Sequence, residues 1–202
     1  MRFLVVGLGL GLGAGLAPGP LLALVVTSAL ARGFAAGLRV ALSPLVTDTL
    51  MIAVAVLLVR ELPNRAAGIL GVVGGLYVVW LGVDALRERA VGIELEPRAG
   101  SLRRGALVNL LSPHPWLFWI VVGGPVLVAA WAESPWSAVA FLVGFFGTLV
   151  GTKAVVAAVV AGSRRALTPA GVRRAHVAAA VLLLLTGVVL VVEFAARAAS
   201  GS

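Results

Sequence analysis

The chain has 202 residues, of which 61% are hydrophobic and 12% charged, and its mean hydropathy is +1.11. No soluble domain of this length has a core able to hide so much apolar surface, so the sequence defines an integral membrane protein with room for about six spans of roughly 20 residues. The net charge of +8 flanks hydrophobic runs, which directs it to anionic headgroups of membrane lipids and excludes a nucleic-acid partner. With no cysteine in the chain, disulfides, thiolate metal sites and a thiol-relay redox enzyme are excluded.

The first apolar run, about 3–30, opens like a signal peptide at Met1-Arg2-Phe3. Five similar runs follow, so a retained first helix is expected instead. Pro18-Gly19-Pro20 sits near its middle, where proline removes an N–H and clashes with the preceding turn. The second run, about 36–59, carries Pro44, Thr47 and Asp48. Pro44 leaves the Val40 carbonyl without its usual partner, which would put a polar spot beside Asp48. The third run covers about 66–86. A long polar stretch, 87–104, then divides the chain. The fourth run, about 106–131, carries Asn109 and a second break at Pro113-His114-Pro115. The fifth and sixth runs, about 137–161 and 175–196, hold Thr152-Lys153 and close the chain. His176 falls at the interfacial start of the last run.

The two halves correspond in order: a Pro-x-Pro break, then a lone charge beside a threonine in the next helix. Counting Lys and Arg on alternate sides gives eleven on connectors 1–2, 3–4 and 5–6 against four on the other side. The positive-inside rule then places both termini outside the cytoplasm. Three spans per half make the halves inverted. The fold expected is a single all-α transmembrane domain over 1–202, with repeats at about 1–90 and 101–197 and helices 1 and 4 broken.

A carboxylate in hydrocarbon is costly, so Asp48 is expected to face an interior cavity or a partner. It is a candidate proton carrier, and Lys153 on the matching helix is its natural partner. A half-helix beginning at Pro20 or Pro115 offers free N–H groups and a positive dipole end to a carboxylate. The carbonyls before each break suit an ammonium or a cation, so a zwitterion would satisfy both. Asn109, Thr47 and Thr152, together with Ser43 and Thr148, are small polar candidates for the lining. His114 could titrate near neutral pH. Nothing has metal-ligand spacing, and no cofactor is called for. Glycine stripes at 7, 11 and 15, at 68, 71, 75 and 82, and at 144, 147 and 151 read as close-packing faces, inside the monomer or in a homodimer. By helical geometry Lys153 points away from the last stripe, toward the cavity.

These residues carry a family likeness. Pro18-Gly19-Pro20, Arg32-Gly33 with Gly37, Asp48, the run from Tyr77 through Trp80, Gly82 and Asp84 to Arg87, and the run from Arg104-Gly105 through Asn109 to Pro113 together resemble the LysE/RhtB amino-acid exporters. The resemblance implies an inner-membrane exporter of amino acids or related metabolites, driven by the proton gradient. The chain departs from the family at Ser43-Pro44 before Asp48 and at Ser112-Pro113-His114-Pro115, both at the expected site. The alternatives are an accessory protein for lipid or glycolipid export and a small-ion transporter of the same superfamily.

Overall fold

The structure is a computed structural model, and it describes residues 1–17, 20–87, 102–162 and 169–199. The regular elements among them are all helical. In chain order they are α1 (Arg2–Leu16), α2 (Pro20–Arg32), α3 (Phe34–Ala41), α4 (Ser43–Arg60), α5 (Asn64–Arg87), α6 (Leu102–Leu111) and α7 (Pro113–Phe118). A π-helical turn (Trp119–Gly123) follows, then α8 (Gly124–Glu133), α9 (Pro135–Gly162) and α10 (Pro169–Ala199).

Phe34–Arg60, taken across its bend, Pro113–Glu133 and Pro135–Gly162 are each long and apolar enough to cross a membrane, with mean hydropathies of 2.1, 1.7 and 1.9. The pair α1 and α2, inclined to each other by 65°, makes a fourth span if taken as one. Among the residues whose side chains are described, α5 and α10 also carry apolar stretches, at Arg65–Trp80 and Leu184–Ala196.

Proline chemistry accounts for the irregular points. Pro113 has no N–H for the Asn109 carbonyl, so α6 ends at Leu111, and Ser112 adopts an extended conformation (φ −78°, ψ 127°). Pro113 then starts α7 at its first position, where the missing N–H costs nothing. The carbonyls left over find other donors. The Asn109 carbonyl accepts from the Ser112 N–H at 3.3 Å, and that of Leu110 accepts from Trp116 Nε1 at 2.9 Å. Pro125 likewise gives no N–H to Val121, and the chain there slips to a π turn in which Gly124 N–H reaches the Trp119 carbonyl. The Val121 carbonyl points at Gly74 of α5, where any Cβ would collide with it. In the second span Pro44 withdraws the partner of the Val40 carbonyl, and the Ser43 hydroxyl supplies one at 2.7 Å. The expected single helix over 36–59 is therefore bent at Leu42, between α3 and α4.

Two long-range helix pairs organise the molecule. Gly7, Gly11 and Gly15 of α1 face the Phe141, Phe145 and Leu149 carbonyls of α9, turn for turn, so the two helices run parallel with their backbones close. Gly68, Gly71 and Gly75 of α5 meet Ala198, Phe194 and Val191 of α10 in reverse order, an antiparallel pair. The stripe on α9 behaves otherwise than expected. Gly144 packs on Leu4, but Gly147 and Gly151 have nothing within 4 Å. Packing uses the opposite face, which carries Lys153, because the glycines that allow close approach are on α1.

The larger core cluster gathers Leu10, Met51, Val78, Trp119, Val126, Phe141, Phe145, Leu149 and Leu190 from α1, α4, α5, the π turn, α8, α9 and α10. A smaller one joins α2, α3 and α9 through Val25, Ala29, Val40, Ala41, Ala157 and Val160. At one end Arg2 ties α1 to two other helices, with Nη2 2.8 Å from Glu133 Oε2 and Nη1 3.3 Å from Glu193 Oε1.

Candidate functional site

Asp48 lies one turn into α4, beyond the bend, and retains 4% of its exposure. Its carboxylate is met by neutral donors. Asn109 Nδ2 donates to Oδ1 at 2.7 Å and Trp119 Nε1 donates to Oδ2 at 3.0 Å. Thr47 Oγ1 stands 3.2 Å from Oδ1 and accepts from Asn109 Nδ2 at 2.7 Å. Its single proton is shared between Asp48 and the Ser43 carbonyl, which also lies 3.2 Å away. Both amide protons of Asn109 are thus used across the contact between α4 and α6. Gly105, one turn earlier on α6, makes the approach possible, since a Cβ there would come within 2.7 Å of Ser43 Oγ.

Trp119 is fully buried. Its ring is held edge-on against Phe118 and Phe145, with centroids 5.4 and 5.1 Å away, and stacks on Phe146 at 6.0 Å. The aromatic packing holds the indole with its N–H aimed at the carboxylate. It also connects Asp48 to α9, two turns of which separate Phe145 from Lys153.

Lys153 retains 3% of its exposure. It does not pair with Asp48. Its Nζ donates instead to the Ala14 and Gly15 carbonyls, each at 3.1 Å. These are the carbonyls at the end of α1. Pro18, which has no N–H, could never serve Ala14. The ammonium therefore sits on two backbone acceptors at the negative end of a helix, one of which, Ala14, has no helical donor.

The remaining expected site residues fall in different places. Thr152 packs against Gly15, where an added Cβ would come within 2.9 Å of the Thr152 Cβ. His114 shares a 3.0 Å hydrogen bond with the Tyr77 hydroxyl, and the Tyr77 ring stacks on Trp80 at 5.8 Å. Pro20, Pro113 and His114 are exposed in the monomer and Pro115 is half-buried, so the prolines flank the buried charges without touching them. Pro18 and Gly19 lie outside the described residues. No group of three or more His, Cys, Asp or Glu able to hold a metal ion occurs among the described residues.

Sequence reasoning missed Trp119. Gly123-Gly124-Pro125, a helix-distorting run just after it, was the available signal. It also missed Tyr77 as the partner of His114, and it left open whether Lys153 pairs with Asp48, where the structure gives it the Ala14 and Gly15 carbonyls.

A multi-pass membrane protein with two buried, oppositely charged side chains held by interrupted helices is the class this geometry defines. A sequence model of the LysE type translocator family matches residues 13–194, and the chain belongs to that family, whose members are transporters rather than enzymes. No curated protein and no solved structure matches the chain.

Proposed function

We propose that this protein is a secondary active exporter of amino acids or related small zwitterionic metabolites, driven by the proton gradient across the inner membrane, with both termini outside the cytoplasm. Six spans form two inverted repeats: α1–α2, α3–α4 and α5, then α6–α8, α9 and α10. At 24 residues α5 is about 36 Å long, and α10 is longer still, so each is long enough to span.

One observation carries this reading. Each repeat's buried charge is held by the other repeat's interrupted helix, at the same register. Asn109, which holds Asp48, stands four residues before Pro113, and Ala14, which holds Lys153, stands four before Pro18. The parallel pairing of α1 with α9 has its counterpart in that of α4 with α6–α8, where Gly105 meets Ser43 and Gly124 meets Ala55. Such cross-repeat contacts suit a rocking motion of one repeat against the other around a fixed site.

Asp48 is the coupling residue. Ionised, it holds the Asn109 and Trp119 donors and clamps α4 to α6–α8. A proton arriving at Oδ1 or Oδ2 neutralises the charge, weakens both charge-assisted bonds and lets the helices part. The substrate binds between the two breaks, with its ammonium toward Asp48 and its carboxylate toward the helix starts at Pro20 and at Pro113–Pro115. The purified protein in liposomes with an imposed pH gradient is expected to move one class in a panel of amino acids and analogues. A folded protein that moves none of them removes the reading and favours an accessory role.

A further inference from the structure

We propose that the Ala14 and Gly15 carbonyls form a monovalent-cation site that Lys153 occupies from within the protein, so that its ammonium stands in for a bound sodium ion. Four observations lead there. The Ala14 carbonyl loses its helical donor because residue 18 is a proline, a loss that belongs to the covalent structure. Nζ contacts both carbonyls at 3.1 Å, so two acceptors converge on one cationic atom. These acceptors close a helix of 15 residues, whose dipole presents its negative end to the charge. Lys153 has no ion pair among the described residues, although it is buried, so carbonyl oxygens hold its charge as they would hold an alkali cation.

The close packing of Gly15 on Thr152 and Leu149 fixes the register that brings Nζ there. Broken helices in transporters commonly use such freed carbonyls for a coupling cation. Here the position is filled, so transport needs no sodium, and the substrate's ammonium is directed toward Asp48. The role in transport rests on the exporter reading above, but the site itself does not.

The test is thermal unfolding of the purified full chain in choline, sodium or methylammonium chloride at equal ionic strength. The wild type is expected to unfold at one temperature in all three salts. Lys153→Ala is expected to unfold earlier in choline and to recover saturably, by about 3 °C or more, in methylammonium or sodium. The double variant Lys153→Ala/Pro18→Ala gives residue 18 an N–H, which lets α1 extend and donate to the Ala14 carbonyl, and it is expected to lose that cation effect. Should Lys153→Ala fail to fold in every salt, Lys153→Gln is measured in the same way. A sodium-dependent wild type, a cation effect in neither variant, or one that persists in the double variant overturns the site. A cation effect in Lys153→Ala together with no transport by the wild type counts against the exporter reading and leaves the site standing.

Discussion

Asp48 is buried with three polar side chains around its carboxylate and no cation among the described residues in contact with it. Neutral donors can hold a buried carboxylate, but each one then matters, because a lost partner leaves part of a charge unsolvated. Asn109→Ala removes the donor that also orients Thr47. It is expected to cost about 1.5–3 kcal/mol, the usual worth of a hydrogen bond to a charged group, read as an earlier unfolding midpoint in detergent. Asp48 and Lys153 were legible in the sequence because charges deep in apolar runs have few harmless explanations. Their partners were less so. An inventory of side chains pairs a lone lysine with a lone aspartate, whereas the structure gives the lysine two backbone carbonyls that no inventory counts. Proline chemistry did reveal that carbonyls before each break would want a cation. That the cation is Lys153 depends on the register between α1 and α9, which spacing alone does not set. Trp119 was hidden for a similar reason. A tryptophan in an apolar run reads as packing or as an interfacial anchor until the π turn aims its N–H.

The helices show the same division between what spacing reveals and what packing decides. Glycines three or four apart mark a face where backbones can approach, and Gly7, Gly11 and Gly15 on α1 and Gly68, Gly71 and Gly75 on α5 do so. A similar stripe on α9 leaves Gly147 and Gly151 unpacked, because one small-residue stripe suffices for each close pair and α1 supplies it. Two substitutions separate these cases. Gly11→Leu drives a side chain into the Phe145 backbone and Thr148 and is expected to cost about 3 kcal/mol or to prevent folding. Gly147→Ala meets open space and is expected to be neutral or to stabilise by up to about 1 kcal/mol through helix propensity. The stability of the purified variants in a denaturant series checks both. The bend at Leu42 follows from Pro44, whose position was read in the sequence. The Ser43 hydroxyl that covers the Val40 carbonyl explains why the bend leaves no unmet polar group there.

At the scale of the molecule, the all-helical architecture was legible because hydropathy and proline position act locally, whereas the way the helices close on one another was not. The orientation proposed from the arginine count has a direct test, since the chain has no cysteine of its own. A cysteine at Leu62, in the connector after α4, is expected to react with an impermeant thiol reagent applied to intact cells. A cysteine at Arg103, at the start of α6, is expected to react only after permeabilisation. Reversed labelling would invert the topology and with it the side from which protons reach Asp48. The exporter account turns on Asp48 carrying the proton that drives substrate across. The measurement that addresses this most directly is proton flux into liposomes during substrate movement, for the wild type and for Asp48→Asn. The account predicts substrate-dependent proton movement in the wild type, and neither proton movement nor accumulation against a gradient in the folded variant. Equal proton flux and equal accumulation in the two proteins would contradict it.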